Sequence, residues 1–95
     1  MWYNPYMLDI RTAPYDIRCI ASVLNKLHGG ISVSRTPDGL SVVLFTSAFR
    51  HKSSVHTEGD VYDEIRTLYE LLKKDYNDDA NYREANGIEG AIRLM

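Results

Sequence analysis

Residues Ile31 to Ser47 limit what this chain can fold into more than any other stretch. Ile31-Ser32-Val33-Ser34 alternates apolar and polar residues, Pro37-Asp38-Gly39 carries turn chemistry, and Leu40 to Phe45 resumes as a strand. Proline fixes φ, aspartate bonds its own backbone, and glycine accepts a positive φ, so the turn has a mechanism. The first arm is half polar. Val42-Val43-Leu44-Phe45 is apolar on both faces, which predicts an interior strand with Leu44 and Phe45 nearly fully buried.

A helical pattern lies on either side of the hairpin. Ile17, Ile20, Ala21, Leu24 and Leu27 recur at helical spacing, with Thr12 as the expected N-cap, Pro14 in the first turn, and Gly29-Gly30 ending the helix after His28. Cys19 falls on the boundary of that stripe and is expected to be a half-buried structural thiol. Val61, Ile65, Leu68 and Leu72 mark a second helix beginning near Thr57 or Asp60, where Thr57-Glu58-Gly59-Asp60 partly matches a capping box. Ile20, Leu24, Ile65, Leu68 and Leu72 are expected in the core.

The alternation of Tyr6, Leu8 and Ile10 suggests a first strand over residues 6–10. Residues 80–86 suggest a short helical turn, and 90–95 a final strand. The order β-α-β-β-α-β predicts a single α+β domain spanning residues 1–95. Its simplest closed form is a small ferredoxin-like sandwich, an antiparallel sheet with both helices on one face.

One cysteine in 95 residues excludes an internal disulfide, which fits a reducing compartment. No apolar run approaches a membrane span, and the opening Trp-Tyr-Asn-Pro-Tyr is neither basic nor apolar enough for a secretory signal. A cytoplasmic, membrane-free protein is expected. The net charge of −2 conceals an asymmetry. Residues 1–57 hold six Lys/Arg against three Asp/Glu, and residues 58–95 hold five against ten. Neither half is extreme enough to dictate a partner.

No motif here implies a particular chemistry. His51 and His56 lack further ligands at metal spacing, so no metal site or cofactor is expected. Ser54, His56 and Asp60 lie close in sequence without a nucleophile elbow, and Cys19 and His28 point apart on one helix. An enzyme is the least supported class. The stretch Arg50, His51, Lys52, Ser53, Ser54 and His56, taken as a loop entering the second helix, is the candidate anion- or partner-binding segment. Two aromatic groups, Trp2-Tyr3-Tyr6 and the helical edge Tyr62-Tyr69-Tyr76, are the candidate interface.

These features predict a small non-catalytic interaction protein of the accessory or inhibitor kind that phages and mobile elements encode. It would bind a protein partner or pair with itself as a homodimer. The alternative is a nucleic-acid-binding regulator using the Arg50–His56 segment, although the aromatic pattern of an RNA-recognition motif is absent.

Overall fold

The computed structural model describes residues 9–78. The expected short helix at 80–86, the final strand at 90–95 and the aromatics Trp2, Tyr3 and Tyr6 lie outside the described residues. So does most of the expected first strand. Its described end is not a strand: Asp9 caps a 3-10 turn over Ile10–Thr12 by accepting from the Arg11 amide. Thr12 donates its hydroxyl to the Asp9 carbonyl within that turn (3.2 Å) and does not cap the helix. Helix α1, Tyr15–Lys26, starts one residue after Pro14, which sits at the cap position with φ −54°. Proline's fixed φ and missing N–H make it a natural helix opener.

The end of α1 is a Schellman turn. Gly29 donates its amide to the Leu24 carbonyl (2.8 Å) and His28 donates to Asn25 (3.1 Å). His28 therefore takes the left-handed position, with φ 62°. Glycine usually fills that position, and a side chain there is strained. Gly29 is needed for another reason: a Cβ on it would stand 1.8 Å from the Phe45 carbonyl oxygen. The helix exit and the end of the central strand thus meet backbone to backbone.

Three strands follow: β1 Gly30–Thr36, β2 Gly39–Phe45 and β3 Arg50–Val55. They form an antiparallel meander in the order β1-β2-β3. The Pro37-Asp38 turn closes β1 onto β2 with Thr36 opposite Gly39. Gly39 has φ +153°, and a Cβ on it would lie 2.2 Å from the Val55 carbonyl oxygen.

β2 is central, as its apolar run predicts. The segment expected to be a loop is largely strand β3, and this is the main correction to the fold. Three strands separate the helices, so residues 9–78 form an α+β unit of order α-β-β-β-α. The ferredoxin-like arrangement has two strands between its helices, and its fourth strand does not occur among the described residues. A 3-10 turn over Glu58–Asp60 then leads into α2, Val61–Asp78. Thr57 spends its hydroxyl on the Asp60 carboxylate (2.9 Å) rather than on a backbone amide, so the capping box is not made.

Both helices cover one face of the sheet. α1 lies against β1, while α2 lies across β2 and β3. The core joins Ile17, Ile20 and Leu24 of α1 to Leu40, Val42, Leu44 and Val55 of the sheet and Val61, Ile65, Leu68 and Leu72 of α2. Burying each such side chain contributes about 1.5–3 kcal/mol. Outside the hydrophobic core, Arg66 clips the helices together, reaching Asp16 through Nε (2.6 Å) and Nη2 (3.2 Å) and Asp63 through Nη1 (2.8 Å).

Two burial expectations are corrected. Phe45 is 36% exposed, because strict alternation along β2 turns it away from Leu44 and the helices. Tyr69 and Tyr76 belong to the core, at 9% and 1% exposure, while Tyr62 is partly buried against it. α2 touches two strands and α1, so its buried arc is wider than the stripe drawn by its aliphatic residues. Tyr76 donates its hydroxyl to Thr46 Oγ1 (2.6 Å) and meets Phe49 edge to face, centroids 4.8 Å apart.

Candidate functional site

Strand register sorts the expected binding segment onto two faces. In β3, His51, Ser53 and Val55 oppose Leu44, Val42 and Leu40, the core-facing residues of β2. Arg50, Lys52 and Ser54 oppose Phe45, Val43 and Ser41 on the other face. The structure therefore divides the six expected residues. His51 stands on the helix side, hydrogen-bonded to Asp75 of α2, and both groups are partly buried. Ser53 shares that side. Arg50, Lys52 and Ser54 look out from the opposite surface, and His56 follows the strand as an exposed residue.

The outward face forms three cross-strand rows. Gly30, Phe45 and Arg50 make the first, Ser32, Val43 and Lys52 the second, and Ser34, Ser41 and Ser54 the third. No described helix covers it. Ser41 and Val43, in the middle of this face, are buried at 6% and 9% exposure although Val43 stands apart from the core cluster, so the exposed part of the face is formed by Phe45 and the flanking strands. Phe45 lies across Gly30, its ring tip 3.8 Å from where a Cβ would be. Cover of this kind compensates a strand glycine.

A depression of about 500 Å³ opens beside the ring, lined by Ser32, Val43, Phe45, Thr46, Phe49 and Arg50 among others. Its floor is fixed by the β2–β3 turn. Thr46 Oγ1 accepts from the amides of Ala48 (3.2 Å) and Phe49 (3.1 Å), and the Thr46 amide donates to the Phe49 carbonyl (2.8 Å). The Ser47 amide donates to the carbonyl of Leu27, the residue that follows α1, which ties the turn to the helix exit (3.1 Å).

The charge on this face is one-signed. None of its strand residues is acidic, and among the described residues no carboxylate pairs with Arg50 or Lys52. Several other cations are engaged: Arg35 stands on the helix side of β1 and reaches Glu58 (2.7 Å), Arg66 is held by two aspartates, and Lys73 reaches Glu70 (2.7 Å).

A second groove runs between the helices, bordered by Tyr15, Cys19, Ile20, Val23, Tyr69 and Lys73. Cys19 is exposed there rather than half buried. A hydrogen bond with Cys19 raises the Tyr15 phenol above its ordinary pKa, and burial raises that of Tyr69. The Lys73 ammonium stands 5.2 Å from the Tyr69 ring centroid. Charges in this groove are already matched within the chain, so it makes no demand for a ligand.

The exposed residues of this face that sequence reasoning missed are Phe45, assigned to the core, and Ser32 and Ser34 of β1. The alternation Arg50/Lys52/Ser54 against His51/Ser53/Val55 was the signal that marks β3 as a strand. No described helix is long and apolar enough to cross a membrane, and among the described residues no three His, Cys, Asp or Glu side chains gather as a metal site would require. No protein-family model, curated protein or solved structure matches this chain.

Proposed function

We propose that this protein is a non-catalytic binding module that meets an anionic macromolecule on the face of its sheet that no described helix covers. The observation that carries the reading is the pairing of Arg50 and Lys52, exposed and unmatched by any described carboxylate, with a hydroxyl-lined face whose strand residues include no acid. Cations without internal partners attract anions over distances near the Debye length and orient them on arrival. Of the two helices on the other face, α2 is net acidic, with five Asp/Glu against three Lys/Arg, while α1 has one Asp against two Lys/Arg. An anionic partner is thus steered to the sheet face rather than to α2.

The tyrosine edge gives less support to self-association than its spacing suggests, because Tyr69 and Tyr76 are engaged in the core. A small accessory protein that acts by occupying a site on a larger macromolecule fits the sheet-face reading. The test is retention on immobilised heparin against rising salt. Wild-type protein should be held and the Arg50→Ala/Lys52→Ala double variant released early, with both melting alike. Equal retention of the two would remove the basis of the proposal.

A further inference from the structure

We infer that the occupant of this face is single-stranded nucleic acid, with a base stacked on Phe45 and neighbouring phosphates met by Arg50 and Lys52. This rests on the reading of the sheet face as the binding surface and adds the class of its ligand. Phe45 offers an aromatic ring at a position where burial was available one residue earlier in the strand. Phe45 is 36% exposed, its ring tip lies over Gly30, and it borders the depression of about 500 Å³. An exposed aromatic beside such a depression is a stacking platform, and stacking needs a base whose own face is free.

Arg50 lies directly across the ladder from Phe45. Lys52 follows two residues later on the same face, about 7 Å along the strand. That separation suits two different phosphates better than one. Ser32, Ser34 and Ser54, exposed on the flanking strands, add hydroxyls able to bond phosphate, sugar or base edges. They impose no particular base, so the expected binding is sequence-tolerant.

Duplex fits less well. Its major groove, about 12 Å wide, admits a helix or a two-stranded ribbon, and three strands backed by a helical layer are broader than that. Bases inside a duplex are also stacked on both faces and leave Phe45 nothing to cover. An acidic peptide would satisfy Arg50 and Lys52 but would leave the ring unused.

The experiment is fluorescence anisotropy on the whole chain with a labelled oligo(dT), the same strand annealed to its complement, and labelled polyglutamate. Two phosphate contacts to a single strand give a log–log salt slope of about −1.4, or roughly sevenfold weaker binding between 50 and 200 mM salt. Phe45→Leu keeps an apolar cover over Gly30 but has no π-face. It should weaken oligo(dT) binding roughly five- to 150-fold while leaving the slope unchanged. Phe45→Trp should retain binding, which separates loss of stacking from loss of fold. Arg50→Ala/Lys52→Ala should flatten the slope. Equal affinity for duplex or polyglutamate, with Phe45→Leu neutral, would overturn the single-strand inference while leaving the anionic-partner reading standing. Failure to bind all three probes at low salt would overturn both.

Discussion

Thr46 bonds to both the β2–β3 turn and helix α2, and its replacement by valine tests that anchor at nearly constant volume. Thr46 is 9% exposed, and its Oγ1 accepts from the Tyr76 hydroxyl and from the amides of Ala48 and Phe49. Each hydrogen bond contributes a net 0.5–1.5 kcal/mol, roughly, and a buried donor deprived of its acceptor costs more. Thr46→Val should therefore lose about 2–4 kcal/mol. Thr46→Ser, which keeps the oxygen, should lose much less. Tyr76→Phe removes one of the three bonds and leaves the two backbone donors satisfied, so it should cost about 1 kcal/mol. The residues touch, and the double variant should accordingly show a coupling of about 1 kcal/mol. Urea melts read by circular dichroism give these differences, and each kcal/mol should move the thermal midpoint by about 4–8 °C in a domain of this size. If Thr46→Val stays within about 0.5 kcal/mol of wild type, as ordinary surface changes do, the turn is not anchored as described.

Three further outcomes follow from local geometry. His28→Gly should stabilise by about 0.5–1 kcal/mol, since glycine relieves the left-handed strain at φ 62° at the expense of added unfolded-state entropy; a melt shows the gain directly. Gly39→Ala should destabilise by more than about 1 kcal/mol, because its φ is +153° and the new methyl would strike the Val55 carbonyl; an unchanged midpoint would argue against the hairpin register. Arg66 holds the Asp16 carboxyl below its ordinary value of 3.8, so this pair stabilises above that pH and loses its contribution as pH falls through the lower folded value; acid melts of wild type and Asp16→Asn should converge there.

The parts of the fold that the sequence revealed are those where side chains and backbone signal together. Pro37-Asp38-Gly39 and the apolar run of β2 place the hairpin, and aliphatic spacing places both helices. β3 was hidden because an edge strand needs few apolar residues, and two of its three core-side positions are His51 and Ser53. His51 satisfies its ring through Asp75, a contact that spans 24 residues and leaves no local pattern. Phe45 misled for the opposite reason. A run of four apolar residues does not say which face lacks a cover, and alternation put this one outside. The tyrosines of α2 followed from a stripe that was too narrow, since a helix seated on two strands and a second helix buries more of its circumference. The charge that defines the candidate face was visible as Arg50 and Lys52, but Phe45 opposite Arg50, and Ser32 in the row of Lys52, became their neighbours only once the register was known.

The most direct test of the sheet-face account is a residue-resolved NMR titration of the labelled chain with unlabelled oligo(dT). Shifts are expected at Ser32, Val43, Phe45, Arg50, Lys52 and Ser54, with the exposed side of α2 and the Tyr15–Lys73 groove unchanged. Shifts confined to the helices, or none on β2 and β3 under conditions where binding is saturated, would contradict it.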